Sequence, residues 1–362
     1  AMAKSALMTS AHQDVRDNDR TSPADPFDMG AGHVDPGKAS GRGSAFNPGL
    51  VYDAGFTEYL GFLCDAEPSV FANPDATCSS LAAHDVPTTA VNLNLASIGV
   101  SSVPGARTIT RTVTSVADRP LTWRVSVDEP TGFDVTVSPK RITLAPGASA
   151  SYTVTFTNRR APVDTWRFGS LTWRAGHYSA YSPIAVQGTL FEAPDSVPGT
   201  GTSGSGSVPV TFGYTGPYTA AAHGLVADAP VAGDISQDPD QTYPSADDGP
   251  GVDEIPFTLS GTAFARWSLS IPGDSDLDLY LKGPDGSVIA SSTNSGTNEQ
   301  IDLTEPADGT YRLVVHGWAV PNEPLSYSLS SWDVPAAAGG GSLTVTSAPS
   351  AATIGTTADV DY

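Results

Sequence analysis

Tyr152-Thr153-Val154-Thr155-Phe156 sets an apolar side chain at every second position, and the same period recurs at Val91, Leu93 and Leu95, at Ile109, Arg111 and Val113, and at Trp123, Val125 and Val127. Successive side chains of an extended chain point to opposite faces, so a period of two marks strands with one buried face. Val103-Pro104-Gly105, Asp118-Arg119-Pro120, Pro130-Thr131-Gly132 and Ala145-Pro146-Gly147 punctuate the pattern with turns.

About seven such strands fit between residues 91 and 190, the count and length of an immunoglobulin-like or fibronectin III-like sandwich. Trp123, Phe133, Trp166 and Trp173 then read as packing residues. Residues 193–207 are a Gly/Ser linker, and residues 208–254 a transitional acidic segment. Its Asp234, Asp238, Asp240, Asp247, Asp248 and Asp253 lack the spacing of an EF-hand and read as solvated linker. A second β module follows over 255–335, with strand candidates from Phe257-Thr258-Leu259 to Tyr327-Ser328-Leu329 and turns at Pro284-Asp285-Gly286 and Ala307-Asp308-Gly309. It predicts a jelly-roll-like β-sandwich. Residues 336–362 read as a linker and the start of a truncated β module, too short to bury a core alone.

The composition agrees with a mainly β chain of several modules. Hydrophobic residues make up 39% and charged residues 16% of 362 positions, with 36 Gly and 30 Pro, a profile of short strands and turns. Lys and Arg total 18 against 39 Asp and Glu, a net charge of -21 that repels phosphate backbones and anionic lipid, so no nucleic-acid partner is expected. No run approaches the roughly 20 apolar residues that span a bilayer, and the first residues lack the basic-then-apolar pattern of a signal peptide, as expected of a chain whose start looks cut.

Helices are expected at residues 2–11 and at Thr57 to Leu63, the latter capped by Thr57. Between residues 65 and 90 lies a connecting segment. Cys64 and Cys78 bracket a short loop containing Pro68 and Pro74; a disulfide there closes about 15 residues and stabilises by roughly 3 kcal/mol, while two buried thiols are the alternative. A bridge favours an oxidising compartment.

Three stretches resemble a secreted, actinobacterial-type subtilisin-like serine protease of the cucumisin-like branch of peptidase family S8. Lys4-Ser5-Ala6-Leu7-Met8-Thr9 resembles the helix after that family's nucleophile helix. Gly30-Ala31-Gly32-His33-Val34-Asp35-Pro36 and Asn47-Pro48-Gly49-Leu50-Val51-Tyr52-Asp53 resemble the segment that closes its catalytic domain. Residues 1–64 would then be the C-terminal remnant of an α/β subtilisin-like domain, packed against a missing catalytic part. Asn94-Leu95-Ala96-Ser97-Ile98, Thr112-Val113-Thr114 and Val137-Ser138-Pro139 resemble the fibronectin type III-like domain that follows, over 91–192. Asp276-Leu277-Asp278-Leu279-Tyr280-Leu281, Gly309-Thr310-Tyr311 and Val315-His316-Gly317 resemble the bacterial pre-peptidase C-terminal domain.

Peptide hydrolysis by such a family needs Ser, His and Asp together with an oxyanion donor. The resemblance puts all of them before Lys4, so no catalytic residue is expected in this chain. Gly201-Thr202-Ser203 matches the start of a Gly-Thr-Ser-Met-Ala nucleophile motif but continues as linker, and His33 reads as scaffold. His12, His84, His177, His223 and His316 are isolated, without zinc-ligand spacing. Asp274, Asp276 and Asp278 alternate on one strand face, about 7 Å apart, opposite Leu277, Leu279 and Leu281. That face suits either Ca²⁺ or, as the stronger expectation, plain solvation. No other cofactor is indicated. The resemblance implies a non-catalytic part of a secreted endopeptidase, with β domains that stabilise the catalytic domain or position protein substrates. The alternative is an extracellular binding or adhesion module with no enzymatic role.

Overall fold

A computed structural model of the chain describes residues 1–35, 41–244, 249–271, 273–296, 298–339 and 341–362. Two compact units result: residues 1–199, 208–218 and 349–359 form the first, and residues 200–207, 219–348 and 360–362 the second. Both are built mainly of strands, as the alternation predicts.

The first unit begins with helix α1 (Met2–Thr9), the single-turn α2 (Pro26–Met29) and strand β1 (Leu50–Val51). Helix α3 (Phe56–Ala66) starts before the expected Thr57 because Gly55 takes the cap position and donates its N–H to the Glu58 carboxylate at 2.8 Å. Helix α4 (Pro74–Ala83) is a third substantial helix where the sequence predicts two. Asn73-Pro74-Asp75 writes its start: Asn73 Oδ1 accepts from Ala76 N, and proline sits where no intrahelical N–H is needed.

Strands β2 (Ile98–Val103), β3 (Ala106–Ser115), β4 (Leu121–Asp128), β5 (Phe133–Ser138), β6 (Arg141–Leu144), β7 (Ser149–Asn158), β8 (Trp166–Ala175) and β9 (Tyr178–Gly188) complete two sheets, ordered β1-β3-β7-β5 and β2-β9-β8-β4-β6. Trp123, Trp173, Tyr152 and Phe156 are wholly buried between them. Trp166 is half-buried and meets Phe27 edge-on at 5.0 Å.

Two expectations change along the edge of β3. Val91 to Leu95 form no strand; a short 3-10 turn at Ala90–Asn92 replaces it. The asparagine amides do the pairing instead, Asn92 Oδ1 accepting from Thr110 N at 2.9 Å and Asn94 Oδ1 from Thr112 N at 2.8 Å. Further along the same edge, Leu50 and Val51 pair with Ser115 and Thr114. Leu50 and Tyr52 thus enter the sandwich core, although they belong to the segment expected to pack elsewhere. An exposed strand edge invites pairing, and here three local devices occupy it.

The chain continues through β10 (Phe191–Glu192), β11 (Ser207–Phe212) and β12 (Gly216–Pro217). The second unit comprises β13 (Val231–Ile235), β14 (Val252–Leu259), β15 (Thr262–Leu269), β16 (Asp276–Lys282), β17 (Val288–Ser292), β18 (Glu299–Thr304), β19 (Gly309–Ala319) and β20 (Leu325–Pro335). They form two four-stranded sheets, β13-β20-β15-β18 and β14-β19-β16-β17, around Trp267, Leu277, Leu279, Leu281, Leu313 and Leu329. Finally β21 (Ala351–Ala352) pairs with β12, and β22 (Thr357–Asp361) joins β10 and β11. The C-terminal residues, expected to open a further module, instead complete sheets begun near residue 210. Their partners lie some 140 residues back, as in the 2.7 Å bond between the Thr211 and Thr357 hydroxyls.

Candidate functional site

A cluster of ionisable side chains is buried in the second unit. Leu277, Leu279 and Leu281 of β16 enter the core as their period demands, and Asp274 is exposed outside the strand. Asp278 departs from the expected solvated face, being only 6% exposed. Antiparallel pairing sets His316 of β19 opposite it, and residues 236–243 cross that face. The His316 ring bridges two carboxylates, Nδ1 lying 3.2 Å from Asp278 Oδ2 and Nε2 3.0 Å from Asp238 Oδ2. His316 and Asp238 are both fully buried. His316 is therefore not isolated, and Asp238 is not solvated linker.

The crossing segment is tied to the end of β19 by its own polar groups. Asp238 N donates to Gly317 O at 2.8 Å, Val320 N to Gln237 Oε1 at 2.7 Å, and the Gln237 and Gln241 amides both donate to Trp318 O. Asp238 Oδ2 also accepts from Thr242 N at 2.9 Å. Glycine is required where the segment lies against β19, since a Cβ at Gly317 would sit 2.2 Å from Ser236 O.

Burial by itself pushes the His316 pKa down, but the hydrogen bonds and charges of Asp278 and Asp238 outweigh it and hold the value above the ordinary 6.5. For Asp238 burial pushes upward, and the His316 bond and the Thr242 N–H outweigh that, holding it below 3.8. The cationic form of the imidazole is thus favoured between the two carboxyl groups. Such a centre adds little net stability over an apolar core, but removing one member strands the others.

Beside it opens a cavity of about 460 Å³ walled by Tyr243, Asp276, Asp278, Tyr280, Asn294 and Trp318. The Tyr243 and Tyr280 rings stand 4.8 Å apart. Burial, then the Asp278 charge, pushes the Tyr280 phenol up to about 12, so it stays neutral. Of the three aspartates in the calcium expectation, Asp276 and Asp278 line this cavity and Asp274 does not. Among the described residues no three acidic, histidine or cysteine side chains converge to hold a metal ion; Asp247 and Asp248 lie outside the described residues.

Gly201, Thr202 and Ser203 are exposed and lie in a bend and irregular chain. His33 exchanges both backbone hydrogen bonds with His12 at 2.8 Å, and its Nδ1 lies 2.9 Å from Val34 O. Pro36 to Ala39, which continue that motif, lie outside the described residues. Among the described residues no histidine ring nitrogen bonds a serine, threonine or cysteine side chain. The Cys64 and Cys78 sulfurs are bonded to each other and join α3 to α4.

Residues 92–186 match the model of the fibronectin type-III domain, and residues 255–317 that of the bacterial pre-peptidase C-terminal domain. The chain carries both accessory domains. Its curated relatives are subtilisin-like proteases. Subtilisin-like protease SBT1.3 of Arabidopsis thaliana is 36% identical over 203 residues, and subtilisin-like serine-protease S of Lotus japonicus 33% identical over 193, each alignment covering 51% of this chain and 25% of the relative. The chain thus spans about a quarter of the length of these relatives. Among solved structures, the pre-peptidase C-terminal domain of collagenase from Bacillus anthracis aligns with 29% of this chain and 89% of its own, at 16% identity and a TM-score of 0.22. No helix among the described residues is long and apolar enough to cross a membrane.

Proposed function

We propose that this chain is the non-catalytic C-terminal part of a secreted subtilisin-like serine endopeptidase, its fibronectin type-III and pre-peptidase domains steadying the catalytic domain and positioning protein substrates. The observation that carries this reading is the mixed burial of the described residues between 1 and 59. Part of the stretch is built into the sandwich, with Leu50 0% and Tyr52 1% exposed. The same residues also leave Leu7, Val34, Phe46 and Phe56 at 44, 50, 79 and 79% exposure. Large apolar side chains gathered in one stretch mark a surface meant to be covered. The catalytic part of the same polypeptide is the occupant that the relatives support. Secretion is supported by the Cys64–Cys78 bridge, which persists in oxidising surroundings.

The test is active-site labelling of the full chain. Treated with a fluorophosphonate at neutral pH, the protein should take up no label and leave casein intact. A labelled serine identified by peptide mapping would show that the chain carries its own nucleophile and would end this reading.

A further inference from the structure

We infer that the cavity beside His316 is a binding subsite for a lysine or arginine side chain of a protein. Its aromatic walls are Tyr243, Tyr280 and Trp318, and its carboxylates are Asp276 and Asp278; among the described residues no lysine or arginine lines it. Lys282 is bonded to Glu254 and lies over the Tyr243 ring at 5.4 Å. A cation set against an aromatic face and beside carboxylates gains from both, and most where water is partly excluded. An anionic ligand would meet the carboxylates and a molecule of net charge -21.

The walls are held in place before any ligand arrives. Asp278 is fixed from behind by His316 and Asp276 Oδ1 by Gly296 N at 3.0 Å. Gln241, Thr242 and Tyr243 belong to the segment stapled to β19, while Trp318 is anchored through its backbone carbonyl and is 41% exposed as a residue. Rigid walls reduce the ordering cost of binding.

The inference rests on the substrate-positioning part of the proposed function but is tested apart from it. The full chain is titrated with an end-blocked Gly-Gly-Lys-Gly-Gly peptide, following the Trp318 indole N–H by NMR. The expected result is a saturable shift that the Nε-acetyl-lysine peptide does not produce. Asp276→Asn keeps the acceptor for Gly296 N, and Trp318→Ala keeps the backbone carbonyl, so both should fold. Each should weaken binding about tenfold. Equal shifts with the acetylated peptide, no shift at all, undiminished binding in both variants, or saturation by a neutral oligosaccharide instead would each overturn the inference. Fluorophosphonate labelling together with lysine-specific binding would fail the proposed function and leave the subsite standing.

Discussion

At the scale of single residues, the Asn47-Pro48-Gly49-Leu50-Val51-Tyr52 run shows why a short motif can demand particular side chains. Gly49 has φ +77°, and a Cβ there would fall 2.6 Å from the Tyr178 ring and 2.9 Å from the Trp123 ring. Leu50 and Val51 supply the β1 pairing, and the Tyr52 hydroxyl bonds those of Tyr152 at 2.8 Å and Ser182 at 3.0 Å inside the core. Gly49→Ala should therefore destabilise the first unit by about 3 kcal/mol, from overpacking plus a positive φ. Hydrogen exchange of the β3 and β7 amides reads it; unchanged protection would mean that the rings yield without cost. The glycine is visible in the sequence, but the partners that make it necessary lie more than 70 residues away. His316 likewise depends on distant segments, its two carboxylates lying 38 and 78 residues back.

At the scale of elements, periodicity was a sound guide wherever one face of a strand meets a core, as in β3, β7 and β16. It misled at Val91 to Leu95, where Leu93 is buried but asparagine side chains, not backbone, satisfy the neighbouring strand. Helix α4 went unpredicted because only its Asn-Pro cap, a local signal with a weak apolar stripe behind it, marks it in the sequence. The Cys64–Cys78 bond spans 14 positions and ties this helix to α3. Replacing both cysteines with alanine should cost about 3 kcal/mol, the entropy released to an open loop of that length. The loss should be local, appearing as faster exchange in α3 and α4 with β7 and β8 protected as before. Loss of protection throughout the first unit would show that the helices hold the sandwich together.

At the scale of the molecule, the buried histidine gives the second unit a pH optimum. His316 has a folded pKa above its unfolded 6.5, so its contribution is complete below that value and is lost as pH rises through the folded pKa. Asp238 has a folded pKa below its unfolded 3.8, so its contribution is complete above that value and is lost as pH falls through the folded pKa. Stability of the second unit should peak between about pH 4 and 6.5. Melting the full chain across pH, with the His316 ring titrated by NMR, checks this; a melting temperature that climbs steadily above pH 7 would contradict it. By itself the sequence determined the mainly β architecture, the jelly-roll-like module and the resemblance to subtilisin-like proteases. Alternation, turn chemistry and short motifs are local signals that survive without coordinates. Only the tertiary structure decided that residues 50–52 complete the first sandwich, that the C-terminal strands pair with residues 207–217, and that His316 meets Asp238 and Asp278. Each depends on pairings between distant segments, which no local period records.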